Sequence, residues 1–497
     1  MHTRRNFIKT AATAGLTFGF GDLVPAARAQ EKSTPVPPTS LPPPAASSPA
    51  SVLPLPFGAV HSTGDVSALR PRPAGQKPTY ALTTAPLEKI RVGVIGLSRG
   101  LGHVNDLAKL EWVEVVALCD IRADRVNRAA QSVKKYRGNT PATYSGDENI
   151  WEKLATRDDL DAVYIATPWE WHVPMCLTAL AHGKHAYVEV SAAVTIDECW
   201  ALVDASERAQ RHCSILENCC YGENELFVLN RVSKGVFGDL NHAECAYIHN
   251  LRRELFALGS EGAWRREYHK KLNGNLYPTH GLGPVAQYLG IGRGDQFKFL
   301  VSTSSPERGL TRHLAQNPNG GRHADEAYLC GDMNTTLIKT ELGRTIMVQH
   351  DVVSPRPYSR INALSGTGAT FFDYPARLAV DKPRQYGLSA SSAHDWLNES
   401  DMRKMRAKFT HPLTRTLAAR SNGAGHGGMD FIMNYRLMDS LRRGTTPDMT
   451  VYDAASWSSI LELSVHSVAG GSIPTPIPDF TRGAWKTLSP LKIEEGA

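Results

Sequence analysis

The chain has 497 residues, 42% of them hydrophobic, and a formal net charge of +6. That length exceeds one ordinary core and implies two domains. The positive excess is spread thinly, with no Lys/Arg block after the first residues, which argues against a nucleic-acid platform.

Residues 1–29 read as a twin-arginine signal peptide. Arg4 and Arg5 precede a short, weakly apolar run over residues 10–20, and Ala27 and Ala29 supply small residues for cleavage. The run is too short to span a bilayer, and no later segment reaches that length. The expected partner is the twin-arginine export machinery, and the expected location is periplasmic or secreted. Residues 30–87 are rich in Pro, Ala, Ser and Thr and cannot bury enough surface to repay their ordering entropy. They are expected to form a linker or a surface arm.

Residues 89–96 predict a buried parallel strand that runs into a tight turn from Gly96 through Ser98 and Arg99 to Gly100 and Gly102, opening a helix. Small residues before a helix N-terminus let backbone N–H groups reach a pyrophosphate. The next strand ends in Asp120, 24 residues after Gly96. A carboxylate there takes the adenosine ribose hydroxyls and favours NAD, although Arg122 nearby could accept a 2′-phosphate. A third strand leads into Thr167-Pro168-Trp169-Glu170-Trp171-His172, and a fourth ends at Glu189. Strands and helices alternating at these spacings define a doubly wound parallel sheet over residues 88–218, with ligands at the strands' carboxyl ends.

Residues 219–497 are expected to form an α+β substrate domain with a mostly antiparallel sheet, with strands near residues 240–249, 328–341 and 344–352. Within it, Tyr277-Pro278-Thr279-His280 places a phenol and an imidazole three residues apart, which a helix turn brings to one face. A glycine-rich run around His426 is either a site loop or the entry to the helix that follows, with Asp430 in its first turn; His426 itself reads as a loop-packing group rather than a catalyst. The eight cysteines, Cys119, Cys176, Cys199, Cys213, Cys219, Cys220, Cys245 and Cys330, have no metal-like spacing, and several lie in apolar runs. Neither a disulfide framework nor a metal is expected.

The first half, with Ala166-Thr167-Pro168, His172 and Glu189, resembles the glucose–fructose oxidoreductase/inositol dehydrogenase/MocA superfamily. That superfamily usually carries Glu-Lys-Pro where this chain has Glu189-Val190-Ser191. Together with Asn218, Tyr247, Trp264-Arg265, the Tyr277–His280 segment running on to Pro284, Arg356-Pro357-Tyr358 and the His426 loop, the chain from about residue 90 onward resembles glycoside hydrolase family 109. The resemblance implies an NAD-dependent α-N-acetylgalactosaminidase. It places Ser98, Arg99, Asp120, Trp169, Glu170, Trp171, His172, Glu189, Val190, Asn218 and Tyr277 against NAD. It places Tyr247, Arg265, Tyr277, Pro278, Thr279, His280 and Tyr358 against the sugar. Tyr277, His280 and Tyr358 are the catalytic candidates.

The implied cycle removes hydride from carbon 3 of the sugar, which acidifies the proton on carbon 2. Elimination of the carbon 1 substituent, addition of water and return of the hydride then complete hydrolysis with no net oxidation. The alternative is an NAD-dependent sugar or polyol dehydrogenase, and a third reading is a non-catalytic sugar-binding protein. The superfamily also suggests a homodimer through an exposed sheet face.

Overall fold

A computed structural model describes residues 70–493 other than 258, 318–322, 324 and 390–393. The signal peptide and the first part of the arm fall on residues 1–69, outside the described residues.

The first sheet is parallel and six-stranded. Its strands are β1 (Ile90–Ile95), β2 (Val113–Cys119), β3 (Ala142–Tyr144), β4 (Ala162–Ile165), β5 (His185–Val188) and β6 (Cys213–Ile215), in the order β3-β2-β1-β4-β5-β6. β4 and β5 are buried on both faces, as parallel strands under helices must be. The order reverses at β1, so a crevice opens beyond the carboxyl ends of β1 and β4, where open α/β sheets take their ligands. The helix Ile196–Ala209 begins with a capping box in which Thr195 and Glu198 satisfy each other's backbone N–H.

The second sheet has eight strands: β7 (Leu240–Ile248), β8 (Phe297–Ser304), β9 (Asn334–Thr340), β10 (Thr345–Asp351), β11 (Ala363–Gly366), β12 (Ala369–Phe372), β13 (Arg377–Val380) and β14 (Thr475–Pro476). It is mostly antiparallel, as expected, but β7 and β10 at its centre run parallel. The strand predicted from residue 328 begins only at Asn334. The preceding chain is diverted because the Leu329 and Cys330 N–H groups both donate to the His269 carbonyl, at 3.0 Å each.

Two helices connect the sheets to the site. Thr279–Leu289 lies against β7, and Val451–Ala469 packs on both β8 and the Ile196–Ala209 helix. The helix Thr279–Leu289 approaches β7 closely because residue 281 is glycine. A Cβ there would stand 2.6 Å from the Ala246 nitrogen and 2.7 Å from its carbonyl oxygen. The chain leading into β1 is tied down as well. Arg72 pairs with Glu207 at 2.9 Å, the Thr79 N–H donates to the Tyr452 hydroxyl at 3.0 Å, and the Thr84 N–H donates to the Gly444 carbonyl at 3.0 Å.

Candidate functional site

A cleft of about 790 Å³ runs from the β1 turn to the face of the second sheet. Its floor at the β1 end is Gly96, whose φ of +84° and whose distance from Ala166 both require glycine: a Cβ would lie 2.3 Å from the Ala166 carbonyl oxygen. Asp120 is buried at the end of β2 and braces this turn. Its two oxygens accept the N–H groups of Leu97 at 2.7 Å and Arg122 at 2.9 Å. The narrow backbone turn, the opening helix Gly100–Leu107 and the carboxylate on the next strand suit a dinucleotide, whose pyrophosphate the turn would hold and whose ribose Asp120 would take.

The next stretch of wall is charged. Glu189 accepts from Arg99 at 3.3 Å, from the ring of His103 at 2.9 Å and from the Val190 N–H at 3.2 Å. Burial works against its charged form, but Arg99 and His103 outweigh that and hold the carboxyl well below the usual range. Opposite it stands His426, whose Nε2 faces Arg99 at 3.4 Å and whose Nδ1 meets Asp430 at 2.8 Å. Asn218 donates to the other oxygen of Asp430 at 2.5 Å. His426 is therefore a residue of the cleft wall, which fits the site-loop alternative for the glycine run. Three consecutive residues with φ of 50°, 68° and 97° (His426, Gly427 and Gly428) fold the loop back to present it.

Burial raises Asp430, but its hydrogen bond with His426 and the charge of Arg99 bring it down to about 2. Its folded value thus lies below the ordinary one, so its contribution to stability is complete above about pH 4 and is lost as pH falls through about 2. In urea titrations, Asp430→Asn is expected to be less stable than the parent by about 2 kcal/mol at pH 7. The gap should close toward about pH 2; a gap that does not change with pH would refute this.

The far end of the cleft is aromatic and holds the candidate proton-transfer groups. Tyr277 and Tyr247 stack with ring centroids 4.4 Å apart, and the Arg265 guanidinium lies 4.9 Å from the Tyr277 ring. The His280 Nε2 is 3.4 Å from the Tyr277 hydroxyl, while its Nδ1 is 2.7 Å from Glu217. Burial pushes the Tyr277 phenol well above its ordinary value, only partly offset by Arg265, so the phenol is a proton donor at neutral pH. Glu217, Cys219 and His280 form one cluster of metal-ligating types, with their ligand atoms within 4.8 Å of one another. Burial holds the Cys219 thiol protonated, and it donates to the Asn218 side chain at 3.4 Å; Glu217 and His280 hydrogen-bond each other.

Of the residues expected from sequence, Ser98, Arg99, Asp120, Trp171, Glu189, Val190, Tyr247, Arg265, Tyr277 and His280 line this cleft. Trp169 stands behind it, donating to the Val190 carbonyl at 3.0 Å with its ring 6.0 Å from Tyr277. His172 is buried between the carbonyls of Thr167 and Ser191, both at 2.8 Å, so it fixes backbone rather than meeting a ligand. Glu170, Asn218, Pro278 and Thr279 are likewise absent from the wall. Tyr358 is also absent from the wall, but its ring lies 5.0 Å from that of the wall residue His249, and its hydroxyl accepts from Arg360 at 2.8 Å. Sequence reasoning missed His249, Glu261 and Trp264 in the wall and Glu217 beneath it. Of these, Trp264 adjoins Arg265 in the segment that carries the family resemblance, and Glu217 stands at the end of a parallel strand where ligands bind.

The fold and cleft define a Rossmann nucleotide-binding protein with a second, sheet-based substrate domain. Residues 90–216 match the model of the oxidoreductase family with an NAD-binding Rossmann fold, and residues 221–487 match that of the glycosyl hydrolase 109 C-terminal domain. A glycosyl hydrolase family 109 protein of Shewanella baltica is 46% identical over 432 residues, covering 86% of this chain and 93% of its own. An alpha-N-acetylgalactosaminidase of Shewanella oneidensis is 45% identical over 434 residues, with the same coverage. The chain belongs to glycosyl hydrolase family 109; it is a glycoside hydrolase with NAD as cofactor. Its fold is shared with a levoglucosan dehydrogenase in complex with NADH (TM-score 0.58, 18% identity, 79% of this chain and 100% of the other). It is also shared with an inositol dehydrogenase homologue from Azotobacter vinelandii (TM-score 0.55, 17% identity, 79% and 99%).

Proposed function

We propose that this protein removes terminal α-N-acetylgalactosamine from glycoconjugates by an oxidation, elimination, hydration and reduction cycle with no net redox change. The observation that carries this reading is a single cleft joining the glycine turn and Asp120 to the Tyr277–His280 pair. Ser98, Arg99, Asp120 and Val190 would hold the dinucleotide. NAD, when bound, supplies a reversible hydride acceptor that turns a sugar hydroxyl into a ketone and later restores it. His280 takes the proton from the carbon beside that ketone through Nε2. Tyr277, kept protonated by burial, donates to the ketone oxygen, and Arg265 beneath it stabilises the negative charge that develops there. The aromatic wall of Tyr247, Tyr277 and Trp264 holds the sugar face and excludes water. The twin-arginine segment supports export of the folded, cofactor-loaded protein to the periplasm or beyond.

The test uses a chromogenic α-N-acetylgalactosaminide with the purified protein, following aglycone and reduced nicotinamide together. Aglycone release without accumulating NADH is expected. NADH accumulating on free sugars with no aglycone released would leave a sugar dehydrogenase instead.

A further inference from the structure

We propose that Glu217 is the positioning residue of the proton-transfer site: it accepts the Nδ1–H of His280 and so turns the bare Nε2 toward Tyr277 and the cleft. The inference deepens the reading of His280 as the base and rests on it.

Three observations carry it. Glu217 follows β6 at the ligand end of the first sheet, and its side chain is fully buried. A buried carboxylate is costly unless it is hydrogen-bonded, and Glu217 meets Nδ1 of the His280 imidazole at 2.7 Å. Its Oε1 also accepts the Cys219 N–H at 3.1 Å, while its Oε2 has no hydrogen-bond partner among the described residues. The carboxylate is thus held through one oxygen, which both His280 and the Cys219 N–H share. Finally, the fold keeps room for it. Gly283 lies nearly one turn beyond His280, and a Cβ there would stand 2.8 Å from the Glu217 Cγ, with Trp457 and Cys220 closing the other sides at 3.1 and 3.2 Å.

The chemistry follows from the geometry. As the base works, a C–H bond of the oxidised sugar breaks, an Nε2–H bond forms, the carbon's electron pair makes a double bond to the ketone carbon, and that carbon's π pair moves onto the ketone oxygen, where Tyr277 donates. His280 becomes imidazolium. Glu217 keeps Nδ1–H throughout and balances the charge without accepting the proton itself. A residue that merely packs, or merely accepts the Cys219 N–H, could be glutamine as well as glutamate. A residue that fixes a tautomer could not, because an amide can donate to Nδ1 as readily as accept from it.

The first measurement needs neither variant nor substrate. In ¹⁵N-histidine-labelled wild-type protein at about pH 9, where an ordinary imidazole is neutral, His280 is expected to carry its proton on Nδ1. A proton on Nε2 overturns the proposal, whatever the fate of the glycosidase reading. In Glu217→Gln the tautomer is expected to become mixed or inverted. Its kcat should fall by about 10²-fold, the lower end for a general base, with KM changed by less than about threefold. An unchanged tautomer with kcat within about threefold of wild type would make Glu217 a packing residue. Wild-type protein that releases no aglycone would sink the glycosidase reading alone, because the tautomer is read without turnover.

Discussion

His280→Ala is expected to lower kcat for glycoside release by about 10²–10⁴-fold, the range a positioned general base contributes, while the protein keeps its dinucleotide. The separation follows from distance along the fold. The groups proposed to hold the dinucleotide are Ser98, Arg99, Asp120 and Val190, none of which is a hydrogen-bond partner of the imidazole among the described residues. His280 instead contacts Tyr277, Tyr247 and Glu217. Some stability will be lost too, because Glu217 is left buried without its partner. The comparison therefore belongs well below the melting transition. Cofactor retention is read from the dinucleotide released on denaturing the purified variant. A variant with more than about a tenth of parental kcat would remove His280 from the chemistry. Loss of the dinucleotide along with activity would show that the two ends of the cleft are not independent.

What could be read from sequence divides along physical lines. The first sheet was legible because parallel strands covered on both faces are nearly continuous apolar runs, and because Gly96 and Asp120 mark the ends of two of them. The Tyr277–His280 pair was legible because its members are three residues apart and a helix turn aligns them. The rest of the site comes from distant segments. Glu217 lies 63 residues from His280, and His426 lies 327 from Arg99. A histidine in a glycine run has no local reason to face a cleft; left-handed φ angles at His426, Gly427 and Gly428 put it there. In the same way, alternation showed that the second half had strands, but not that β7 pairs in parallel with β10 and antiparallel with β11. That pairing matters because β7 carries Tyr247 to the cleft and gives Gly281 a backbone to rest against.

The largest effect on stability is expected from Arg360→Met. Arg360 is buried and donates to Glu225 at 2.5 Å through one nitrogen and to the Tyr358 hydroxyl at 2.8 Å through another. Removing it leaves a buried carboxylate with no cation, at a cost of about 3–5 kcal/mol at neutral pH. The pH dependence has a definite sign. Burial already raises Glu225 above its ordinary value despite Arg360, and without Arg360 it will rise further. Below about pH 4 the carboxyl is neutral in both folded and unfolded chains, so the variant's deficit should be small there and grow as pH rises. Denaturation midpoints across that range measure it; a deficit independent of pH would mean that lost packing, not the stranded charge, is responsible. The double variant Arg360→Met with Glu225→Leu removes both charges and is expected to recover most of the stability, since apolar replacements of a buried pair are often neutral or better. It should not recover activity, because Tyr358, beside the wall residue His249, still lacks the guanidinium that fixes its hydroxyl. If stability returns while kcat/KM stays low, the pair exists to hold Tyr358 in place. If both return, Tyr358 holds its position without help.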